Sequence, residues 1–300
     1  MAQVSPPQHE LNWTIVGQGA IGLLSACRMQ QAGVAVSLWL RQAATLRITF
    51  LDHSLSFQPA SPPLNAVLIP VKSYAVIDAA TMLLPYLTPD AQLVISHNGM
   101  GTIEQLRRLL KPTQGLWFLT TTHGALKQSQ SVRHTGVGKS VMAALNAAAL
   151  AQQQAVVNAM DIALGPVQLV EDIQPYLWQK LAINAVINPL TAIHHCKNGA
   201  LAAAHFDTQI NAILHEVCQV AQACGVALDF ASTLQQVQQV IKNTAENFSS
   251  MQQDISHKRR SEIDAISGYI VKQAADLGIA VPENKQLLQH VQQLQADYGR

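Results

Sequence analysis

The sequence predicts an α/β protein in two parts: a doubly wound parallel sheet followed by an all-α domain. In the first half, short apolar runs alternate with helix-like stretches, as in consecutive βαβ units. In the second half these runs stop, and apolar residues recur at spacings of three and four. With 300 residues and 49% hydrophobic content, we expect two domains, at 11–171 and 172–300.

The strands of the first domain are predicted at runs of apolar or β-branched residues, which are typical of buried parallel strands. In chain order the runs are LNWTIV, VAVSLWL, NAVLIP, QLVIS and GLWFLTT. Helices are predicted between them at 20–32, 73–87 and 102–110.

The second domain is predicted to contain helices at 175–193, 205–224, 231–247 and 260–277. Gly225, Gly278 and Pro282 are expected just past helix ends, where such residues usually lie.

Charge and composition argue against several classes of protein. The formal net charge of +1 is too small for electrostatic binding of nucleic acid or an anionic membrane. No apolar run is long enough to span a bilayer, and the first residues do not read as a secretory signal. The four cysteines lack CxxC spacing and the eleven histidines lack an HExxH motif, so we predict no metal site. We expect a cytoplasmic protein.

A glycine-rich turn follows the first predicted strand and opens a helix. The turn is GQGAIG, whose residues are Gly17, Gln18, Gly19, Ala20, Ile21 and Gly22. In this context the spacing is typical of a Rossmann-like dinucleotide site, because glycine permits the tight turn, the close approach of a pyrophosphate and close helix–strand packing. The helix N terminus adds free N–H groups and partial positive charge. A tight turn without a ligand is the alternative interpretation.

Three polar side chains follow predicted strands, at the edge where ligands bind such sheets. Arg41 stands near the position at which NAD-binding proteins carry an acidic residue, and a guanidinium suits the extra phosphate of NADP. Lys72 and Asn98 follow NAVLIP and QLVIS and are candidates to face cofactor or substrate. The alternatives are a surface arginine, a solvated loop lysine and an ordinary Asn-Gly turn.

The segment WQKLAINAVINPLTAI places polar residues on one side of an apolar helix. Lys180, Asn184 and Asn188 are four residues apart and therefore line one face. Polar groups within a buried helix are costly unless something polar meets them, which favours the wall of a polar substrate pocket over a solvent-exposed stripe.

A charged segment, SSMQQDISHKRRSEID, follows later in the chain. Ser249 and Ser250 are candidates to cap a helix or bind a carboxylate, and Glu262 and Asp264 are candidate acid–base groups. Composition alone favours a surface helix in which the acidic and basic residues pair.

Together these motifs resemble the 2-dehydropantoate 2-reductase (ketopantoate reductase) family. The resemblance covers about 11–298, in the order of the family. The segment 43–63, SYAV after Lys72 and an N-terminal arm of roughly ten residues depart from the family pattern. The motifs that carry it are GQGAIG, Lys72 in VKSYAV, HNGMGTIEQL, TTTHGALK, WQKLAINAVINPLTAI, the segment around Asn198-Gly199, SSMQQDI followed by SEID, and GIAVPEN.

The resemblance implies NADPH-dependent reduction of the C2 ketone of 2-dehydropantoate to (R)-pantoate, in the biosynthesis of pantothenate (vitamin B5) and coenzyme A. It implies that Lys180 is the general acid and Glu262 an essential acidic residue near cofactor and substrate. The implied substrate residues are Lys180, Asn98, Asn184, Asn188, Asn198 and Ser250. The implied NADP(H) residues are Gly17–Gly22, Arg41, Lys72, Asn98, Glu262 and the backbone near Ala125.

Two points stay open on the sequence. Burial would lower the pKa of Lys180, whereas a nearby Glu262 would raise it. The function could also be reduction of another small 2-keto or 3-hydroxy acid on the same scaffold, or non-catalytic NADP sensing. The presence of both Lys180 and Glu262 favours an enzyme, and we expect a small-molecule substrate, no nucleic-acid or membrane partner, and a monomer or homodimer.

Overall fold

The structure is a computed structural model that describes residues 11–296 and 298. The chain divides into two compact units. One comprises the chain up to His97 together with Thr102–Ile173, and the other comprises Asn98–Gly101 and the chain from Gln174 onward. The short segment Asn98–Gly101 therefore groups with the second unit, although it connects two parts of the first.

The first unit contains eleven strands among its described residues. They are β1 (Trp13–Val16), β2 (Val36–Trp39), β3 (Leu46–Phe50), β4 (His53–Phe57), β5 (Leu64–Ile69), β6 (Leu87–Ile95), β7 (Gly115–Thr121), β8 (Gly124–Gln128), β9 (Ser131–Gly136), β10 (Ser140–Ala144) and β11 (Val167–Leu169). Its helices are α1 (Ala20–Gln31), α2 (Ser73–Leu83), α3 (Ile103–Leu109), α4 (Ala147–Leu150) and α5 (Gln153–Leu164).

A seven-stranded sheet is the centre of this unit and confirms the predicted fold class. Its spatial order is β11-β10-β7-β6-β5-β1-β2, and every neighbouring pair is parallel except β10 with β7. The five predicted strands are β1, β2, β5, β6 and β7. The central strands are buried on both faces, as the four buried residues of β1 illustrate, whereas β2 at the end of the sheet is only partly buried.

A second, four-stranded sheet is a feature that the sequence analysis missed. Its order is β4-β3-β9-β8, and it joins two antiparallel hairpins through a parallel contact between β3 and β9. The side chains of Ile48, Phe50 and Phe57 are buried and belong to the hydrophobic core of the unit. Strands β8 and β9 also contact α1.

The second unit is helical, as predicted. Its helices are α6 (Gln174–Ile193), α7 (Asp207–Ala223), α8 (Phe230–Asn243), α9 (Ser250–Ser256), α10 (Ser267–Leu277) and α11 (Pro282–Gln295). Helix α6 contacts α7, α8, α9 and α11 and is buried over most of its length. None of the described helices is both long enough and apolar enough to cross a membrane.

Two sequence predictions in this unit are wrong. The helix predicted at 260–277 begins only at Ser267, because Ile266 has a ψ of −90° and a short 3-10 turn, Ile263–Ala265, comes before it. Pro282 does not follow a helix end but is the first residue of α11, where its missing N–H costs no hydrogen bond.

The helix predicted at 73–87 is also shorter than expected. Helix α2 ends at Leu83, and Pro85 lies in a 3-10 turn, Leu84–Tyr86. Proline lacks the N–H that a continuing α-helix would require.

Candidate active site

The glycine-rich turn leaves the end of β1 and starts α1. Gly17 has a φ of +81°, a conformation that strains any residue with a side chain. A Cβ on Gly22 would lie 2.9 Å from Cγ of Pro70 and 3.4 Å from Cγ2 of Ile15, so this glycine allows the helix to pack closely on the sheet. The turn has the geometry that the motif predicts.

The N terminus of α1 is suited to an anion. Within the described chain, Gly19 provides no side-chain cap and the first helical turn carries no acidic residue. The first N–H groups of the helix, together with the positive end of its dipole, are therefore available to a phosphate. The residues present fit the pyrophosphate of a dinucleotide.

The other predicted cofactor residues of this unit lie near the same sheet edge or on the second sheet. Arg41 is exposed, two residues beyond the end of β2, and Lys72 is half-buried and immediately precedes α2. Because β1, β2 and β5 are parallel neighbours, the residues that follow them lie at one edge. Ala125 is half-buried on β8.

Lys127 reaches the turn as well, and the sequence analysis missed it. Its Nζ donates a hydrogen bond to Oε1 of Gln18 at 2.8 Å. The two residues are 109 positions apart, so no spacing rule could have paired them.

The polar residues of α6 lie on a buried helix, as predicted. Lys180 and Asn184 are half-buried, and Asn188 is buried. Their helical neighbours Leu181 and Ala185 are buried apolar residues. This stripe is therefore not a solvent-exposed face.

Glu262 is brought to Asn98 within the second unit. Nδ2 of Asn98 donates a hydrogen bond to Oε2 of Glu262 at 3.2 Å, and Glu262 is only 4% exposed. The N–H of Met100 donates to the carbonyl of Ala265 at 2.9 Å. A Cβ on Gly99, whose φ is +75°, would lie 2.3 Å from that carbonyl oxygen, so the close approach requires glycine.

Lys180 and Glu262 interact electrostatically. Burial lowers the pKa of Lys180 from 10.5 to about 8, and the negative charge of Glu262 opposes that shift. The question left open by the sequence is therefore answered: desolvation outweighs the carboxylate. An ammonium with this pKa is charged at neutral pH yet gives up its proton more readily than an ordinary lysine.

The charged segment around Glu262 separates into different roles. Arg260 and Asp264 form an exposed ion pair at 3.3 Å, as the composition indicates. Arg259 pairs with the buried Asp254, also at 3.3 Å. Glu262 is as buried as Asp254, but it accepts a hydrogen bond from the amide of Asn98.

The two serines before α9 also differ. Ser249 is buried; its Oγ accepts from the N–H of Gln252 at 3.0 Å and from Oγ1 of Thr191 at 2.7 Å. Ser249 is therefore the cap, whereas Ser250 is exposed at the first position of α9.

Asn198 is buried at the start of a 3-10 turn, Asn198–Ala202. Its Nδ2 donates to Oγ1 of Thr244 at 2.9 Å. Its Oδ1 is buried without a hydrogen-bond partner among the described residues. A buried acceptor in that condition is costly unless a ligand or water supplies a donor.

Within the described ranges, no three or more His, Cys, Asp or Glu side chains are grouped so as to hold a metal ion.

Comparisons with known proteins show the family to which the chain belongs. The chain matches the family ketopantoate reductase PanE/ApbA over residues 13–147, and ketopantoate reductase PanE/ApbA C terminal over residues 172–295. It is 40% identical over 297 residues to the 2-dehydropantoate 2-reductase of Vibrio cholerae serotype O1, covering 97% of this chain and 100% of that one.

Solved structures show the same fold. A PanE/ApbA family ketopantoate reductase from Ralstonia eutropha JMP134 aligns with a TM-score of 0.85 at 25% identity, covering 97% of this chain and 100% of that one. D-mandelate dehydrogenase, solved with NADH and anilino(oxo)acetate, aligns with a TM-score of 0.87 at 18% identity and the same coverage. The family matches and the full-length relative lead to one conclusion: this chain belongs to the ketopantoate reductase family of oxidoreductases.

Proposed function

We propose that this chain reduces the C2 ketone of 2-dehydropantoate to (R)-pantoate with NADPH, in pantothenate and coenzyme A biosynthesis. The observation that carries the proposal is the arrangement of Lys180, Glu262 and Asn98, in which a half-buried ammonium of lowered pKa interacts with a buried, hydrogen-bonded carboxylate. A lysine of lowered pKa beside a buried carboxylate is typical of acid–base sites. Family membership supplies the substrate class.

The cofactor would be held by residues of the first unit. The turn Gly17–Gly22 and the N terminus of α1 suit its pyrophosphate, and Arg41 suits the 2′-phosphate that distinguishes NADPH from NADH. Lys72 and the backbone at Ala125 complete the set that the first unit would contribute. When bound, the nicotinamide supplies the hydride that reduces the carbonyl carbon.

Lys180 would act on the carbonyl oxygen. As negative charge grows on the C2 carbonyl oxygen, the ammonium of Lys180 stabilises that charge and then donates a proton to the oxygen. This transfer leaves a neutral lysine amine and the hydroxyl of the product. A pKa of about 8 leaves Lys180 largely protonated at neutral pH and makes it a stronger acid than an ordinary lysine.

Glu262 and the amides would position the reacting groups. The carboxylate of Glu262 favours the charged form of Lys180, and the hydrogen bond from Asn98 orients that carboxylate. Asn184 and Asn188 offer uncharged donors and acceptors to a hydroxylated substrate, and Oδ1 of Asn198, which has no hydrogen-bond partner in the described part of the chain, offers an acceptor. Ser250 would bind the substrate carboxylate.

The test is NADPH oxidation in the presence of 2-dehydropantoate, followed by absorbance, in the wild type and in Lys180→Ala. We expect the variant to lose about 10² to 10⁴ in turnover, the usual contribution of a general acid, while its NADPH affinity stays nearly unchanged. The matched control is Lys272→Ala, since Lys272 is exposed on α10 and pairs with Asp276. Wild-type turnover by Lys180→Ala would show that another group supplies the proton.

A panel of short 2-keto and 3-hydroxy acids, with NADPH and NADH, tests the substrate. Faster turnover of another acid would support the reductase activity but would show that 2-dehydropantoate is not the preferred substrate. Tight NADPH binding without turnover of any compound would favour the sensing function instead.

A further inference from the structure

The Gln18–Lys127 hydrogen bond joins the glycine-rich turn to the second sheet. Gln18 is the exposed residue between Gly17 and Gly19, at the point where the backbone of the motif approaches a pyrophosphate. Nζ of Lys127 lies 2.8 Å from its Oε1. An ammonium is thus held beside the turn by a neutral side chain.

The backbone that carries Lys127 is fixed by pairing and packing. In β8, Lys127 lies opposite Val132 of β9, which is buried. Both strands contact α1, the helix that the turn opens. The second sheet therefore sets the position of this lysine relative to the turn.

The charge of Lys127 is not neutralised by an acid in the described part of the chain. Its hydrogen bond is to an amide, and no carboxylate among the described residues forms an ion pair with it. A lysine ammonium has three N–H donors, of which Gln18 uses one. Two donors are left for the oxygens of an anion bound at the turn.

We propose that Lys127 binds the pyrophosphate of the nicotinamide dinucleotide and that Gln18 is a positioning residue that holds its ammonium there. This inference rests on the proposed function. The pyrophosphate is common to NADPH and NADH, so Lys127 contributes to the affinity for both. Arg41 differs, because a contact with the 2′-phosphate contributes to the affinity for NADPH alone.

The experiment is a titration of the purified full-length protein with NADPH and with NADH, followed by cofactor fluorescence and by calorimetry. Lys127→Met removes the charge and keeps most of the stem. We expect it to weaken both cofactors by about tenfold, the factor expected for one lost charge-assisted hydrogen bond, with the NADPH:NADH affinity ratio unchanged. Lys127→Arg retains the charge and should recover most of the affinity.

The matched control is Lys111→Ala. Lys111 is exposed and precedes β7, so it lies at the amino ends of the parallel strands of the seven-stranded sheet, whereas the glycine-rich turn follows the carboxyl end of β1. Its loss should leave the affinities for NADPH and NADH unchanged. The role of Gln18 is tested by non-additivity: Gln18→Ala should weaken binding by itself and have no further effect in Lys127→Met.

The outcomes separate the two proposals. Wild-type affinity in Lys127→Met overturns this inference and leaves the proposed function standing. A loss confined to NADPH also overturns it, since the ammonium would then be at the 2′-phosphate. Failure of the wild type to bind either cofactor overturns the proposed function, and this inference with it.

Discussion

Lys180 shows how one side chain is adjusted by two opposing effects. Burial favours its neutral amine, and the carboxylate of Glu262 favours its ammonium. Because burial is the larger effect, the pKa falls to about 8. An ammonium with that pKa is largely charged at neutral pH and loses its proton as the pH rises through about 8.

We therefore predict opposite pH dependences for the two directions of the reaction. The kcat/KM for ketone reduction should fall as the pH rises through about 8, because Lys180 must be protonated. The kcat/KM for oxidation of the alcohol should rise through the same range, because the neutral amine is then required. The measurement is a pH–rate profile in each direction.

The variant Glu262→Gln tests whether the carboxylate of Glu262 raises the pKa of Lys180. Loss of the carboxylate removes the effect that raises the pKa of Lys180, so the midpoint of the profile should move to lower pH. An unchanged midpoint in the variant would mean that Lys180 is not the group that titrates.

At the scale of elements, a buried carboxylate connects α7 to the start of α11. Glu216 is 8% exposed, and its oxygens accept from the N–H of Glu283 at 2.8 Å, the N–H of Asn284 at 2.9 Å and Nδ2 of Asn284 at 2.7 Å. The two backbone N–H groups belong to the first turn of α11, where N–H groups have no acceptor within their own helix. The positive end of the helix dipole adds to the stabilisation of the carboxylate.

We predict that Glu216→Ala lowers the free energy of unfolding by about 3 kcal/mol, because several buried donors lose their acceptor. Glu216→Gln should lower it less, since an amide oxygen still accepts one of these bonds. Urea unfolding measures both values. Glu246→Ala is the control, because Glu246 is exposed and its ion pair with Lys197 should contribute little. Equal stability of Glu216→Ala and the control would contradict the role of Glu216 as a cap.

The elements also show where sequence reasoning succeeds. β1 and β7 are predictable because each is a short run of mainly apolar or β-branched residues that the sheet buries almost completely. The β3–β4 hairpin lacks a continuous apolar run, and its turn is formed by Leu51 and Asp52, with φ of 46° and 64°, rather than by an Asn-Gly pair. Its only sequence signal is the short alternation of Arg47 and Thr49 with buried residues.

The same division applies to the site. Lys180, Asn184 and Asn188 could be grouped from spacing because they share one helix. The contact between Asn98 and Glu262 spans 164 residues and depends on the packing of a loop. The local charge run even favoured a surface helix for Glu262, and only the resemblance to a family gave it a role.

At the scale of the molecule, cofactor binding should appear as added stability. A ligand at 100 times its Kd stabilises the folded state by about 2.7 kcal/mol. We predict that NADPH raises the melting temperature at lower concentration than NADH, and that Arg41→Ala removes the difference. Differential scanning fluorimetry measures the melting temperature at increasing concentrations of each cofactor. Arg108→Ala is the control, because Arg108 is exposed on α3. A retained difference in Arg41→Ala would place the 2′-phosphate elsewhere.

The grouping of Asn98–Gly101 with the second unit has a consequence for the growing chain. Glu262 leaves the ribosome 164 residues after Asn98, which at 5–20 residues per second is a delay on the order of 10 to 30 s. All residues of the first unit, which ends at Ile173, have been synthesised by then. A nascent chain is therefore expected to form its glycine-rich turn well before Asn98 can donate its hydrogen bond to the carboxylate of Glu262.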